Sequence, residues 1–298
     1  MKLSKFSTKN KTIGIIHIGF GLIGQAVDTA LSVRTIEIDQ FKIDWGKTDR
    51  IPTLMDNLVE GVVGIDEIEI IWSAGRAGFS TDSPQANLEL SFFELFLNVL
   101  KDGLSGLSLR CWLMSSAGGL HEGQICVSEG MAINQSRPYA ILKRQQELLV
   151  RSLFDRHVIC RLSSVYTVDN LSGRLGLLAV LMRDGIRHKV STLVGSESTL
   201  RDYVLDRDIG KYISEGILNR SEHQGIQYLV NGSPQSIAMI KLLIERIIMK
   251  KLYIKYAPIK SNAANITFQP KIKAEGFYNS DLSSNIKRLY NSLLRYSS

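Results

Sequence analysis

The chain of 298 residues is long enough for one large domain or two smaller ones around a substantial core. Its 44% hydrophobic and 22% charged content is that of a globular protein, and no uninterrupted apolar run reaches the ~18 residues of a membrane span. The formal charge of +7 is concentrated at the ends: residues 1–11 hold four lysines and no acid, and residues 241–298 hold eleven Lys and Arg against three acids.

Such ends suit an anionic small molecule or a solvated surface. The basic residues are not interleaved with aromatics and form no nucleic-acid module, so no nucleic-acid partner is expected. The basic start followed by IGIIHIGFGLIG imitates a secretion signal, but glycines at motif spacing interrupt its apolar part. A cytoplasmic location is the expectation. Cys111, Cys126 and Cys160 lie far apart with no paired spacing, which argues against a disulfide framework or a zinc site. None of the five histidines has metal-ligand spacing, so no metal is expected.

Taken in order, residues 1–11 read as a basic tail and TIGIIHIGFGLIGQAVDTALSV as strand, glycine turn and helix. The next strand falls within RTIEIDQFKIDW, with FKIDW read as ending near Asp44. A helix around IPTLMDNLVEGV, a buried strand IEIIWSAG, a long amphipathic helix opening at Pro84 and an apolar strand LSLRCWLMSSAGG follow. The stretch SRPYAILKRQQE then opens a helix, with Pro138 in its first turn and Ser136 as candidate cap. HVICRLSSVY is the next strand. Apolar strands alternating with helices indicate a parallel sheet covered on both faces. Residues 12–170 therefore read as one α/β domain, and residues 171–298 as a smaller α+β lobe with a soft boundary.

Gly19, Gly21 and Gly24 form G-x-G-x-x-G directly between the first strand and the first helix. The spacing gives a tight turn, close approach of backbone to a pyrophosphate and close packing of helix on strand. Leu22, Ile23 and Gly24 open that helix, where free amides and the helix dipole favour an anion. A dinucleotide, NAD or NADP, is the expected cofactor on a Rossmann-like doubly wound sheet. An acid about 20 residues on should hold its ribose; Asp39 and Asp44 are both placed for this, with Asp44 preferred. Lys47 and Arg50 leave a 2′-phosphate open. Tyr139 and Lys143, at i and i+4, share one helix face, and an ammonium beside a phenol favours the phenolate. Such a phenol serves as an acid or base near neutral pH.

The glycine turn, a middle strand ending in serines and Tyr-x-x-x-Lys together resemble the extended short-chain dehydrogenase/reductase family, in its NAD-dependent epimerase/dehydratase branch acting on nucleotide sugars. IIWSAG with Ala74, Asn87, RLSSVYTV, TLRDYVLDRDIG with Asp208, and YLVNGSPQSIAMIKLLIE extend the likeness over nearly the whole chain. The resemblance implies Tyr139 as general acid/base, Lys143 on the nicotinamide ribose, and Ser116, with Ser115 in reserve, on the substrate oxygen. It further implies Ser164, Arg201 and Lys260 as substrate contacts, Arg201 having a surface ion pair with Asp202 or Asp206 as its alternative. A homodimer through the two long helices is implied too.

Some residues depart from the family pattern. Ile18 stands where a further glycine is usual, with His17 before it read as a strand residue. Ser164 replaces an asparagine, Thr167 and Val168 a Gly-Pro, and Lys260 an arginine. Ala117-Gly118 stands where dehydratases carry Asp-Glu, which speaks against dehydration. The resemblance leaves an epimerase or a 4-ketoreductase, with a non-catalytic cofactor-binding protein as the rival from another class. Surface polysaccharide synthesis is the implied setting.

Overall fold

The computed structural model describes every residue except 44, 46, 172–174, 258–263 and 297–298. Strands β1 (Lys2–Ser7) and β2 (Thr12–Ile18) lead into α1 (Leu22–Ser32), then β3 (Ile36–Gln40) and α2 (Ile51–Gly61). Strand β4 (Glu67–Trp72), α3 (Ser83–Gly103), β5 (Ser108–Ser116), the single turn α4 (Ala117–Leu120) and α5 (Pro138–Leu153) follow. The chain continues through β6 (Arg156–Leu162), β7 (Ser164–Tyr166), α6 (Leu177–Ile186) and β8 (Val190–Val194). Next come β9 (Leu200–Arg201), β10 (Tyr203–Leu205), α7 (Asp206–Leu218) and β11 (Gly225–Leu229). The last elements are β12 (Gln235–Ser236), α8 (Ile237–Ile248), β13 (Tyr253–Ala257) and α9 (Leu282–Tyr296).

The main sheet has the order β11-β6-β5-β4-β2-β1-β3. Its five strands from β11 to β2 run parallel, as the apolar runs require when both faces are covered. One face packs Trp72, Phe93, Phe96 and Leu97 under α2, α3 and α5; the other packs Trp112, Val27 and Ile213 under α1 and α7. The fold is thus the mixed α/β, Rossmann-like one expected. A smaller core of Leu178, Leu181, Ile240, Ile244 and Ile286 joins α6, α8 and α9 into a C-terminal lobe. Strand β11 and helix α7 return from the later half of the chain to the main sheet.

Three local expectations are corrected. The basic N-terminal segment is not a tail: β1 pairs antiparallel with β2, Leu3 opposite Ile16, and with β3, Lys2 opposite Gln40. Its period-two alternation drives this, because Leu3 and Phe6 point to opposite faces and each enters one of the two cores. Lys2 is neutralised by Asp28 at 2.9 Å and Glu37 at 3.1 Å. Strand β3 ends at Gln40, so Phe41–Ile43 is not the strand that FKIDW suggested. Ser136 does not cap α5; its amide donates to Asn134 Oδ1 and Arg137 takes the cap position without a side-chain bond. Helix α3, by contrast, is capped by Asp82, which accepts from the Gln85 amide at 2.9 Å.

Candidate active site

The C-terminal ends of the parallel strands hold two cavities. The first, about 610 Å³, is lined by Gly19, Gly21, Ala74, Glu89 and a cluster of Trp45, Trp72 and Phe92. The second, about 440 Å³, is lined by Ser116, Tyr139, Ser164, Arg201 and Tyr203 among others. Phe79 lines the second cavity, 5.7 Å ring to ring from Tyr139, on the same loop that supplies Ala74 to the first.

The first cavity is built by the glycine turn. Gly19 adopts φ +98°, and a Cβ there would lie 2.3 Å from the Ala74 amide. A Cβ on Gly24 would lie 2.0 Å from the Gly19 carbonyl, so only glycine lets α1 pack this closely on the turn. Gly21 differs: nothing stands within 4 Å of its missing Cβ. That open side, with the unpaired first-turn amides of Leu22, Ile23 and Gly24, fits the diphosphate of a dinucleotide. Ile18 in place of a further glycine is fully buried in the sheet and does not obstruct the turn. Gly24→Ala is expected to weaken NAD(P) binding at least tenfold, checked by titration of the purified protein.

Beneath the turn, His17 is a buried strand residue, as expected. Its Nε2 lies 3.0 Å from Ser73 Oγ, which donates to the Gly19 carbonyl at 2.6 Å. Nδ1 has no partner among the described residues. Burial, with Lys2 and the amino terminus nearby, pushes the imidazole down to about 3. The native state therefore holds His17 neutral while the unfolded chain protonates it below its ordinary value of 6.5, so stability falls as pH drops through that range. At pH 5 this amounts to about 2 kcal/mol. His17→Gln should remove most of that difference between urea melts at pH 7.5 and pH 5.

Of the two ribose acids, Asp39 does not meet the turn. Asp39 lies on β3, which β1 separates from β2, so it stands two strand spacings, roughly 10 Å, from the strand that carries the turn. Its carboxylate accepts from the Gln40 amide and lines a separate shallow cleft with Asn57 and Glu60. Asp44 lies outside the described residues. Sequence reasoning missed the aromatic wall: Trp45 packs 4.9 Å from Phe92 and 6.0 Å from Trp72. It also missed Glu89, whose Oε2 accepts from the amides of Arg76 at 2.8 Å and Ala77 at 2.9 Å and so holds the loop after β4. A tryptophan shortly before a helical pattern is the only sequence signal for the first, and the second has none.

In the second cavity the two serines ending β5 separate by strand alternation. Ser116 lines the cavity; its Oγ accepts from the Gly119 amide at 2.9 Å, which leaves its own O–H to donate. Ser115 points the other way and donates to Glu147 Oε1 at 2.6 Å, so it does not reach the cavity that Tyr139 lines. Tyr139 stands in the first turn of α5, its ring against Gly119. Lys143 is 7% exposed, and its Nζ donates to the Met114 carbonyl at 3.2 Å and to Gln146 Oε1 at 3.0 Å. Gln146, unanticipated from sequence, thus holds the lysine, and one of three ammonium protons is left over.

Arg201 lines the cavity and donates to the carbonyls of Leu200 and Ala264. Burial lowers its guanidinium pKa. Asp202, one candidate ion-pair partner, is engaged elsewhere: it accepts from Ser163 Oγ at 2.8 Å and from the amides of Asn231 and Gly232. Lys260 lies outside the described residues. Asn87 is exposed on α3. No group of three or more potential metal ligands occurs among the described residues, and none of their helices is long and apolar enough to cross a membrane.

No family model and no curated protein matches the sequence. Solved structures do match in fold. UDP-glucose 4-epimerase of Thermus thermophilus, in complex with NAD, superposes with a TM-score of 0.76 at 15% identity, covering 95% of this chain and 98% of that one. UDP-N-acetylglucosamine 4-epimerase of Methanobrevibacter ruminantium, with UDP-N-acetylmuramic acid, gives 0.74 at 14% identity over 97% and 100% of the two chains. RMD of Pseudomonas aeruginosa, with NADPH, gives 0.72 at 16% identity over 93% and 96%. The fold of this chain, through both the main sheet and the C-terminal lobe, is the one these proteins share.

Proposed function

We propose that this protein is an NAD- or NADP-dependent enzyme of the short-chain dehydrogenase/reductase type that acts on a nucleotide-activated sugar. One observation carries the reading: Tyr139 and Ser116 share a single cavity with Arg201, beside a glycine turn with room for a diphosphate. A proton-handling pair and a cation in one cavity match a substrate with a reactive sugar hydroxyl and an anionic linker. The structural neighbours, two of them epimerases of UDP-sugars, support the same substrate class.

In this reading Tyr139 removes or delivers the proton of a sugar hydroxyl, and Ser116 donates its free O–H to the same oxygen. Bound NAD(P) supplies hydride acceptance and return. Lys143, positioned by Gln146 and the Met114 carbonyl, directs its remaining N–H to the nicotinamide ribose. Arg201 and Lys260 take the diphosphate, and Ser164 faces the sugar. Residues 12–170 then carry the cofactor and most of residues 171–298 the substrate. Epimerisation is preferred, with 4-ketoreduction as the second reading and surface polysaccharide synthesis in the cytoplasm as the setting. Exposed Leu88 and Leu95 on α3 and Ile141 and Leu148 on α5 support a homodimer through these helices.

A panel of UDP-, GDP- and dTDP-sugars incubated with the protein and followed by proton NMR tests the proposal. Interconversion without net cofactor use indicates an epimerase, and stoichiometric consumption of NAD(P)H a reductase. A protein that retains NAD(P) yet converts none of the panel is a binding protein, and the enzymatic reading fails.

A further inference from the structure

Among the described residues, four aromatic side chains line the second cavity. Tyr166 and Tyr203 are buried, at 2% and 3% exposure, which leaves the half-buried Phe79 and Tyr139 to meet a ligand. In the proposed mechanism Tyr139 moves the proton, and Phe79 has no part in it. The Phe79 ring lies 5.7 Å from the Tyr139 ring, and an added Cβ on Gly118 would lie 3.9 Å from its Cζ. Phe79 therefore stands beside the tyrosine, where the reacting part of a substrate would lie.

Both its own loop and α5 hold Phe79 in place. In the loop after β4, the Thr81 amide donates to the Gly78 carbonyl at 3.0 Å and the Gly78 amide to Thr81 Oγ1 at 2.8 Å, a turn with Phe79 at its second position. The Phe79 carbonyl accepts from Arg137 Nη1 at 3.0 Å, and the same guanidinium lies 5.5 Å over the Phe79 ring. Arg137 is neutralised by the buried Glu122, which accepts from its Nε and, at 2.6 Å, from its Nη2. It also takes the cap position of α5, two residues before Tyr139, so one arginine ties both rings to a common frame. The result is an apolar wall set in advance beside the tyrosine, and a contact to it costs little ordering. A pyranose presents patches of C–H groups between its hydroxyls. Covering them with an aromatic ring removes apolar surface of both partners from water.

We infer that Phe79 packs against the C–H groups of the substrate's sugar ring and so sets the sugar hydroxyl against Tyr139. This rests on the nucleotide-sugar reading and adds to it a binding residue for the sugar.

The test is Phe79→Ala in the full-length protein holding its cofactor. Calorimetric titrations compare UDP with UDP-glucose, GDP with GDP-mannose and dTDP with dTDP-glucose, with thermal midpoints measured in parallel and NAD(P) titrated separately. Affinity for the nucleotide sugar should fall about five- to thirtyfold while that for its nucleoside diphosphate is unchanged. Phe79→Leu, which keeps apolar bulk, should show a smaller loss of the same kind and gives the readout if the alanine variant does not fold. An equal fall for nucleotide sugar and nucleoside diphosphate would place the effect on the cavity as a whole and overturn the sugar contact. A fall in NAD(P) affinity in its place would assign the ring to the nicotinamide and overturn it equally. Unchanged affinities throughout, with the parent binding a nucleotide sugar, would overturn the inference and leave the nucleotide-sugar reading intact. A parent protein that binds none of the three pairs would remove that reading, and this contact with it.

Discussion

Replacing Tyr139 by phenylalanine is expected to lower turnover of the proposed nucleotide-sugar substrate by about a hundred- to ten-thousandfold, with cofactor binding and fold preserved. The ring is held by Gly119, where a Cβ would come within 2.8 Å of the Tyr139 ring, and by Phe79 at 5.7 Å. Neither contact involves the hydroxyl, so the phenylalanine ring should keep its place and only the phenolic oxygen is lost. Rates measured under saturating substrate separate this from a binding defect, because an interaction made in the transition state alone lowers kcat without raising KM. Ser116→Ala should act in the same direction and more weakly, since in the proposed mechanism Ser116 donates a hydrogen bond where Tyr139 moves a proton. Turnover undiminished in Tyr139→Phe would reject the assignment.

The second large effect concerns stability. Glu147, fully buried on α5, accepts from Arg161 Nε at 2.9 Å and Nη2 at 2.7 Å and from Ser115 at 2.6 Å. Arg161 extends the network through Nη1 to the Tyr228 hydroxyl at 2.6 Å, which lies 2.9 Å from His121 Nε2. This chain ties α5, the helix that carries Tyr139 and Lys143, to β5, β6 and the segment after Ser116. Arg161→Met leaves the Glu147 carboxylate buried without its bidentate partner and should cost about 3–5 kcal/mol in a urea titration. Arg144 at 3.6 Å from Glu147 holds the value toward the lower end. Adding Glu147→Gln removes the stranded charge, and the double variant should recover at least half of the loss. A single-variant loss under about 1 kcal/mol would mean that the pair behaves as a surface ion pair and does not anchor the helix.

What the sequence disclosed follows from how local each signal is. The glycine turn, the strand ending in Ser116 and the first turn of α5 are each specified by a few contiguous residues, and each stands where its pattern put it. Alternation alone separates Ser115 from Ser116, so the preferred serine lines the cavity. The position of Asp39 was not legible, because it depends on β1 inserting between β2 and β3, and the β1–β3 pairing joins residues more than thirty apart. The alternation of Leu3 and Phe6 is visible in MKLSKFS but was masked by its lysines, of which Lys2 is neutralised by Asp28 and Glu37 only in the folded state. Gln146, Glu89 and Phe79 were hidden for the same reason. Each matters through what it meets in the fold, respectively the Lys143 ammonium, the amides after β4 and the Arg137 guanidinium.

The most direct test is the mass spectrum of small molecules released when the purified protein is denatured, with cofactor titration of the same preparation. NAD or NADP, either recovered from the protein or bound on titration, is the predicted result, and near-stoichiometric retention of NAD favours epimerisation over reduction. A protein that releases no dinucleotide and binds neither NAD nor NADP on titration would contradict the assignment at its root, since every proposed role of Tyr139, Lys143 and Ser116 presupposes a nicotinamide beside them.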